Sequence, residues 1–147
     1  MNDTLIRGCS SCGAENRVPA EHVSDAGRCG RCKADLPPVA EPVEADPELF
    51  SKVVATASVP VLVDFWAGWC GPCRAAAPFV NKVAAEMAGK AIVLKVDTDR
   101  YPELAERYDV MGIPNFVVLK KGRVVSQQAG LGDPRELKRW LERAQAA

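Results

Sequence analysis

Along the chain the spacing of apolar positions changes several times, and each change marks an element. From Asp46, Leu49, Phe50, Val53 and Val54 fall on one face at helical spacing, with Asp46 as cap and Pro47 first in the helix, which predicts a helix ending near Ala57. Val59 to Phe65 is a nearly continuous apolar run, read as a strand buried on both sheet faces. An alanine-rich helix follows from Cys70 to Gly89, bent at Pro78 because proline cannot donate the interior hydrogen bond. Ala91 to Val96 repeats the buried-strand pattern, and Pro102 to Tyr108 reads as a short helix. Phe116 to Lys120 and Arg123 to Ala129 form a hairpin across Lys121-Gly122, and Asp133-Pro134-Arg135-Glu136 opens the last helix with a capping box. A βαβ half followed by a ββα half places the chain in the α/β class.

Ahead of Asp46 the pattern is different. Pro37 to Asp46 holds three prolines and three acids in ten residues, which favours an extended, semi-rigid connector. Before it, Leu5, Ile6, Val18, Val23 and Leu36 are too few apolar residues to make a core. The expected division is a four-cysteine module over 1–36, a linker over 37–45 and the main domain over 46–147.

The four cysteines of the first segment are Cys9, Cys12, Cys29 and Cys32, two Cys-x-x-Cys pairs separated by sixteen residues. Each pair can form a knuckle facing one ion, and two knuckles give the four-sulfur tetrahedron that Zn²⁺ prefers. Gly13 and Gly30 can supply the positive φ that tight knuckle turns require. The metal then provides the stability that a small core cannot. Two disulfides are the competing reading, disfavoured in a reducing compartment. A full thiolate shell leaves no open coordination position, so the zinc is expected to be structural, with His22 a loop residue and not a ligand.

Nineteen basic and nineteen acidic residues in a chain of 147 give a formal net charge of zero, which argues against nucleic-acid or anionic-membrane binding. Between Leu5 and Leu36 five basic residues face four acidic ones, with no aromatic residue for base stacking. Protein partners are expected. Met1 to Arg7 does not read as a secretory signal and no apolar stretch spans a bilayer, so the expected location is the cytoplasm.

Trp69-Cys70-Gly71-Pro72-Cys73 stands where a strand gives way to a helix. A thiolate at a helix N-terminus is stabilised by unpaired N–H groups and the helix dipole, so this spacing points to a redox dithiol. Attack by one thiolate on a substrate disulfide creates a mixed disulfide that a second thiol must resolve, and two intervening residues let the sulfurs bond without moving the backbone. Cys70 is read as nucleophile and Cys73 as resolver, with Pro72 suited to the first helical turn and Gly71 keeping access to sulfur. A structural disulfide, or half of a metal site, is the plainer alternative. Asp64 lies in an apolar strand six residues before Cys70; buried, it would have a raised pKa and could exchange the resolving thiol's proton, whereas at a strand end it would simply be solvated.

Val63 to Cys73, Val96-Asp97-Thr98-Asp99 and Gly112-Ile113-Pro114 together resemble the thioredoxin family from about Asp46 onward, and with the four-cysteine segment in front the chain resembles its thioredoxin 2 type. The resemblance implies a thioredoxin-like fold, a central mixed sheet flanked by helices, preceded by a small zinc-ribbon-like module. It implies a protein disulfide reductase, a monomer that needs no cofactor for the exchange and is recycled by a separate thioredoxin reductase. It assigns the proton role to Asp64, tuned by Lys95, and a docking surface to Trp69, Gly71, Pro72, Ile113 and a cis Pro114, with Gly130 and Gly132 in the adjoining loop. Members of this family open with a strand, for which the one candidate is the piece around Val43, tolerable beside Pro42 only at a sheet edge. Asn115, Gly68 and Arg74 replace the family's usual residues and bear on substrate preference and potential. A zinc-dependent redox sensor or a chaperone-like interaction module is the alternative function.

Overall fold

The protein is described here by a computed structural model covering residues 3–146; Met1, Asn2 and Ala147 lie outside the described residues. Its centre is a five-stranded sheet. The strands are β5 (Val43–Glu44), β6 (Val61–Trp66), β7 (Ile92–Asp97), β8 (Asn115–Lys120) and β9 (Arg123–Ala129), in the order β5-β7-β6-β8-β9. β5, β7 and β6 run parallel, whereas β8 and β9 run antiparallel. Four helices flank the sheet: α1 (Pro47–Thr56), α2 (Gly71–Glu86), α3 (Pro102–Arg107) and α4 (Arg135–Ala146).

Alternation along the strands builds two cores. Val63, Phe65, Leu94, Val96, Val117 and Leu119 pack with Phe50 and Val53 of α1 and Leu104 of α3. Leu62, Val93, Phe116 and Val118 point the other way, onto Val80 and Val83 of α2 and Leu137 and Leu141 of α4. Each side chain so buried contributes about 1.5–3 kcal/mol, which is why β6, covered on both faces, reads as an unbroken apolar run.

Local chemistry sets the ends of the elements. Asp46 Oδ1 accepts from the Leu49 N–H at 2.9 Å, capping α1. Lys121 and Gly122 both take positive φ, 52° and 77°, the twist of a two-residue hairpin turn. At α4 Asp133 Oδ1 accepts from the Arg135 N–H at 3.0 Å, but the expected box does not close: Glu136 pairs instead with Arg139 and Arg143 along the helix. β6 starts at Val61, just after Pro60, which has no N–H to give the ladder, and α2 ends at Glu86, three residues before Gly89 at φ +80°.

Val43 and Glu44, in the stretch read as a connector, form the edge strand β5 on β7, the position that tolerates the neighbouring Pro42. The N-terminal segment folds as two hairpins, β1 (Thr4–Gly8) with β2 (Glu15–Pro19) and β3 (Gly27–Arg28) with β4 (Asp35–Leu36). It is not held by its cysteines alone. Ala20 and Val23, 1% and 2% exposed, together with Val39 join the core that contains Leu49, Phe50 and Val53, so the small module borrows apolar cover from the larger domain.

Candidate active site

Cys70 is the N-cap of α2, in extended conformation, and its Sγ accepts the Cys73 N–H at 3.1 Å. Gly71 and Pro72 follow as the first two helical residues, both exposed. The two cysteines are joined by a disulfide with their Cα atoms 5.2 Å apart. Burial does not distinguish the two cysteines, since Cys70 is 2% and Cys73 5% exposed; helix position does, because Cys70 is the N-cap and its sulfur accepts the first-turn N–H of Cys73.

The surface around this turn is apolar. Trp69 is 68% exposed, and a groove of about 300 Å³ beside it is lined by Trp69, Thr98, Val110, Met111 and Ile113. Ile113 packs against the cysteine pair, and its carbonyl oxygen lies 3.7 Å from Cys70 Sγ. The Ile113–Pro114 peptide is cis and Pro114 is buried. The Gly130 N–H donates to the Pro114 carbonyl at 2.8 Å, which ties the glycine loop to the same surface. Trp69 Nε1 donates to Asp99 Oδ1 at 3.3 Å, a contact the sequence reading did not anticipate.

Asp64 is buried at 2% exposure, and its Oδ1 has no hydrogen-bond partner among the described residues. Burial pushes its pKa up to about 7, against the pull of Lys95 and with the help of Glu44. Lys95 sits beside Asp64 in register on β7, with its Nζ 4.5 Å above the Trp66 ring centre. Glu44 is a member of this group that pattern reading passed over, because it fell in the acidic, proline-rich stretch.

Cys9, Cys12, Cys29 and Cys32 are all free, and their four sulfurs lie within 4.8 Å of one another. Cys9 and Cys32 sulfurs are 3.6 Å apart and Cys12 and Cys29 sulfurs 3.7 Å, close to the edge of about 3.8 Å expected for four sulfurs 2.3 Å from one Zn²⁺. No disulfide pairs them. The backbone N–H groups of Cys32 and Arg31, with the Asn16 amide, bring the Cys29 thiol down to about 6. The Ala14 N–H favours the Cys12 thiolate, yet burial and the three other sulfurs outweigh it and push Cys12 up to about 12. The donor set fits zinc.

The two knuckles share one plan. Gly13 N–H donates to the Cys9 carbonyl and Lys33 N–H to the Cys29 carbonyl, at 2.8 and 3.0 Å. Gly13 has the expected positive φ of 77°, but Gly30 does not; in the second knuckle that conformation falls on Lys33, at φ 65°. Gly30 instead gives its N–H to Asn16 Oδ1 at 2.9 Å. His22 is exposed and pairs with Asp25, away from the sulfurs.

The family profile described as Thioredoxin matches residues 41–143, and that of the Thioredoxin 2 N-terminal zinc ribbon matches residues 8–34. Thioredoxin C-3 of Corynebacterium nephridii is 38% identical over 138 residues, 94% of each chain. The chain belongs to the thioredoxin family. Thioredoxin 1 of a Nostoc species is 43% identical over 94 residues, 64% of this chain and 88% of the relative. Among solved structures, a mutant thioredoxin from Halobacterium salinarum superposes with a TM-score of 0.67 at 34% identity, covering 72% of this chain and 92% of its own. Spinach chloroplast thioredoxin F does so with a TM-score of 0.68 at 30% identity, covering 73% and 88%. As a thioredoxin, the protein is a thiol-disulfide oxidoreductase acting on disulfide-containing proteins, with a zinc-ribbon type module at its front. Among the described residues no helix is long and apolar enough to cross a membrane.

Proposed function

We propose that the chain is a general protein disulfide reductase working through Cys70 and Cys73. The Cys70 thiolate attacks one sulfur of a substrate disulfide, forming a mixed disulfide and releasing the other substrate sulfur as thiolate. Asp64, in its ionised form, takes the Cys73 proton; the Cys73 thiolate then attacks Cys70 Sγ, releasing the second substrate thiolate and leaving the Cys70–Cys73 disulfide. Two electrons pass from the dithiol to the substrate. A separate thioredoxin reductase returns them, so the exchange needs no bound cofactor. Trp69, Gly71 and Pro72 form one wall for the substrate and Ile113 and Pro114 the other, where the Ile113 backbone pairs with an extended substrate segment. The observation that carries this reading is the Cys70 sulfur at the α2 N-terminus, accepting the Cys73 N–H.

Cys9, Cys12, Cys29 and Cys32 hold one structural Zn²⁺, which when bound supplies a closed four-sulfur cross-link between the two hairpins. The protein works as a monomer in the cytoplasm.

Assay with NADPH and thioredoxin reductase tests the main claim. Reduced protein is expected to cleave insulin disulfides, Cys73→Ser to accumulate mixed disulfides through Cys70, and Cys70→Ser to be inactive. Equal activity in wild type and Cys70→Ser rejects the assignment. Metal analysis is expected to find one zinc per chain, retained when Cys70 and Cys73 are both replaced.

A further inference from the structure

Asp64 is one of three charged residues in a row. The register of the adjacent parallel strands pairs Glu44 of β5 with Lys95 of β7, and Lys95 with Asp64 of β6. Side chains at paired positions leave the same face, so carboxylate, ammonium and carboxylate are aligned across three strands about 4.8 Å apart. Lys95 therefore has two acids to choose between. Its Nζ lies over the Trp66 ring, 4.5 Å from the centre, and Asp64 Oδ1 has no hydrogen bond among the described residues. Glu44 stands at the outer end of the row, lining a cleft of about 380 Å³ with Trp66, Asp97 and Arg100, and the buried Trp66 indole N–H comes close to it without closing a hydrogen bond.

We propose that Glu44 is a positioning residue for the exchange reaction: from the edge strand it draws the Lys95 ammonium away from Asp64 and so leaves Asp64 able to hold a proton near neutrality. The inference rests on the reading of Asp64 as the proton carrier. Electrostatics on both acids agree with it. Burial raises Asp64, Lys95 opposes, and Glu44 raises it further. Glu44 is exposed on the edge strand, yet partial desolvation in the cleft raises it, while Lys95, Trp66 and Arg100 favour its charge and Asp97 disfavours it. From the other elements, β8 sets Phe116 opposite Asp64, and α2 brings apolar Ala76 to this face and Cys73 against Trp66, so Lys95 is the cation shared by the row.

The test is a carboxyl ¹³C NMR titration of Asp64 in the full-length oxidised protein, with the signal assigned through D64N. E44Q is expected to lower the Asp64 midpoint by roughly half a pH unit or more, because Lys95 then turns to the remaining acid. K95M is expected to raise it. In the K95M background, E44Q should produce less than half of its effect in the wild type. An unmoved midpoint in E44Q overturns the proposal, as does an equal shift in both backgrounds, since Glu44 then does not act through Lys95. The pH profile of mixed-disulfide resolution separates this from failure of the underlying reading. If D64N keeps the wild-type profile, Asp64 is not the proton carrier, whereas the carboxyl titration still decides whether Glu44 governs Lys95.

Discussion

Trp69 and Asp99, thirty positions apart, are joined by a hydrogen bond of 3.3 Å from indole N–H to carboxylate. The bond fixes the exposed ring next to Cys70 against the turn that follows β7, where the Asp99 N–H is itself held by Asp97 Oδ1 at 3.0 Å. An ordered ring presents a ready docking face and spares substrate the entropy of arranging it. Asp99→Ala is expected to raise KM for insulin reduction by about two- to tenfold, the worth of a hydrogen bond of roughly 0.5–1.5 kcal/mol, with kcat unchanged. An unchanged KM, or a fall confined to kcat, refutes a docking role for the pair.

That contact illustrates what sequence could and could not reveal. Signals carried by neighbouring residues were legible: Asp46-Pro47 at the start of α1, Lys121-Gly122 at the hairpin, the cysteine spacings of both centres. The strand at Val43 was only half legible: the resemblance called for an opening strand, while Pro42 and the acidic, proline-rich composition read as a connector, and an edge position on β7 reconciles the two. Relationships created by strand order were not. Glu44, Lys95 and Asp64 meet only because β7 lies between β5 and β6, and nothing local announces that register. Val23 reads in the sequence as one of too few apolar residues in a metal-dependent module, and only the fold lays it, with Ala20, on the core that contains Leu49, Phe50 and Val53 of α1. Glu136 had the spacing of a box residue but found two arginines one and two turns along, and Gly30 had the composition of a positive-φ residue while Lys33 had the conformation.

Asp64 makes stability depend on pH in a stated direction. Its folded pKa of about 7 lies above the unfolded value of about 3.9, so between them the folded state binds more protons than the unfolded chain. Stability therefore falls as pH rises from about 4 to about 7, by roughly 1.4 kcal/mol per unit. Asp64→Asn removes the titration. Urea denaturation of the oxidised protein should show the variant gaining about 3 kcal/mol more over wild type at pH 8 than at pH 5. A gain independent of pH means that the carboxyl is ionised, or neutral, throughout.

The docking of Val23 on the main domain predicts how the chain responds to metal loss. With the sulfurs released by a chelator, residues 4–36 lose their cross-link, but β6, β7 and β8 keep their own two-sided core. Amide exchange is expected to accelerate over β1 to β4 and to remain slow in the central strands, with insulin reduction retained. Val23→Ala, which removes side-chain bulk from a site 2% exposed, should cost about 2 kcal/mol and loosen the same hairpins with the metal in place. Global unfolding on chelation contradicts this independence.

The mismatch in the second knuckle can be corrected by one substitution. Lys33 holds φ 65° where Gly13 holds 77° in the first knuckle, and left-handed backbone costs a side-chain-bearing residue about 1 kcal/mol relative to glycine. Against this, Lys33 contributes an exposed hydrogen bond from Nζ to the Gly30 carbonyl at 3.1 Å, worth little in water, and the greater freedom of glycine in the unfolded chain takes back part of the gain. The Lys33 N–H to Cys29 carbonyl bond is made by backbone alone and survives the change. Lys33→Gly is therefore expected to stabilise the turn by a few tenths of a kcal/mol up to about 1 kcal/mol, and to hold zinc up to fivefold more tightly in competition with a chelator. Lys33→Val is the opposing control, since a β-branched residue at this φ is strongly disfavoured and should release metal more readily. If glycine weakens retention as much as valine does, the lysine side chain matters to the metal centre in its own right and the backbone argument fails.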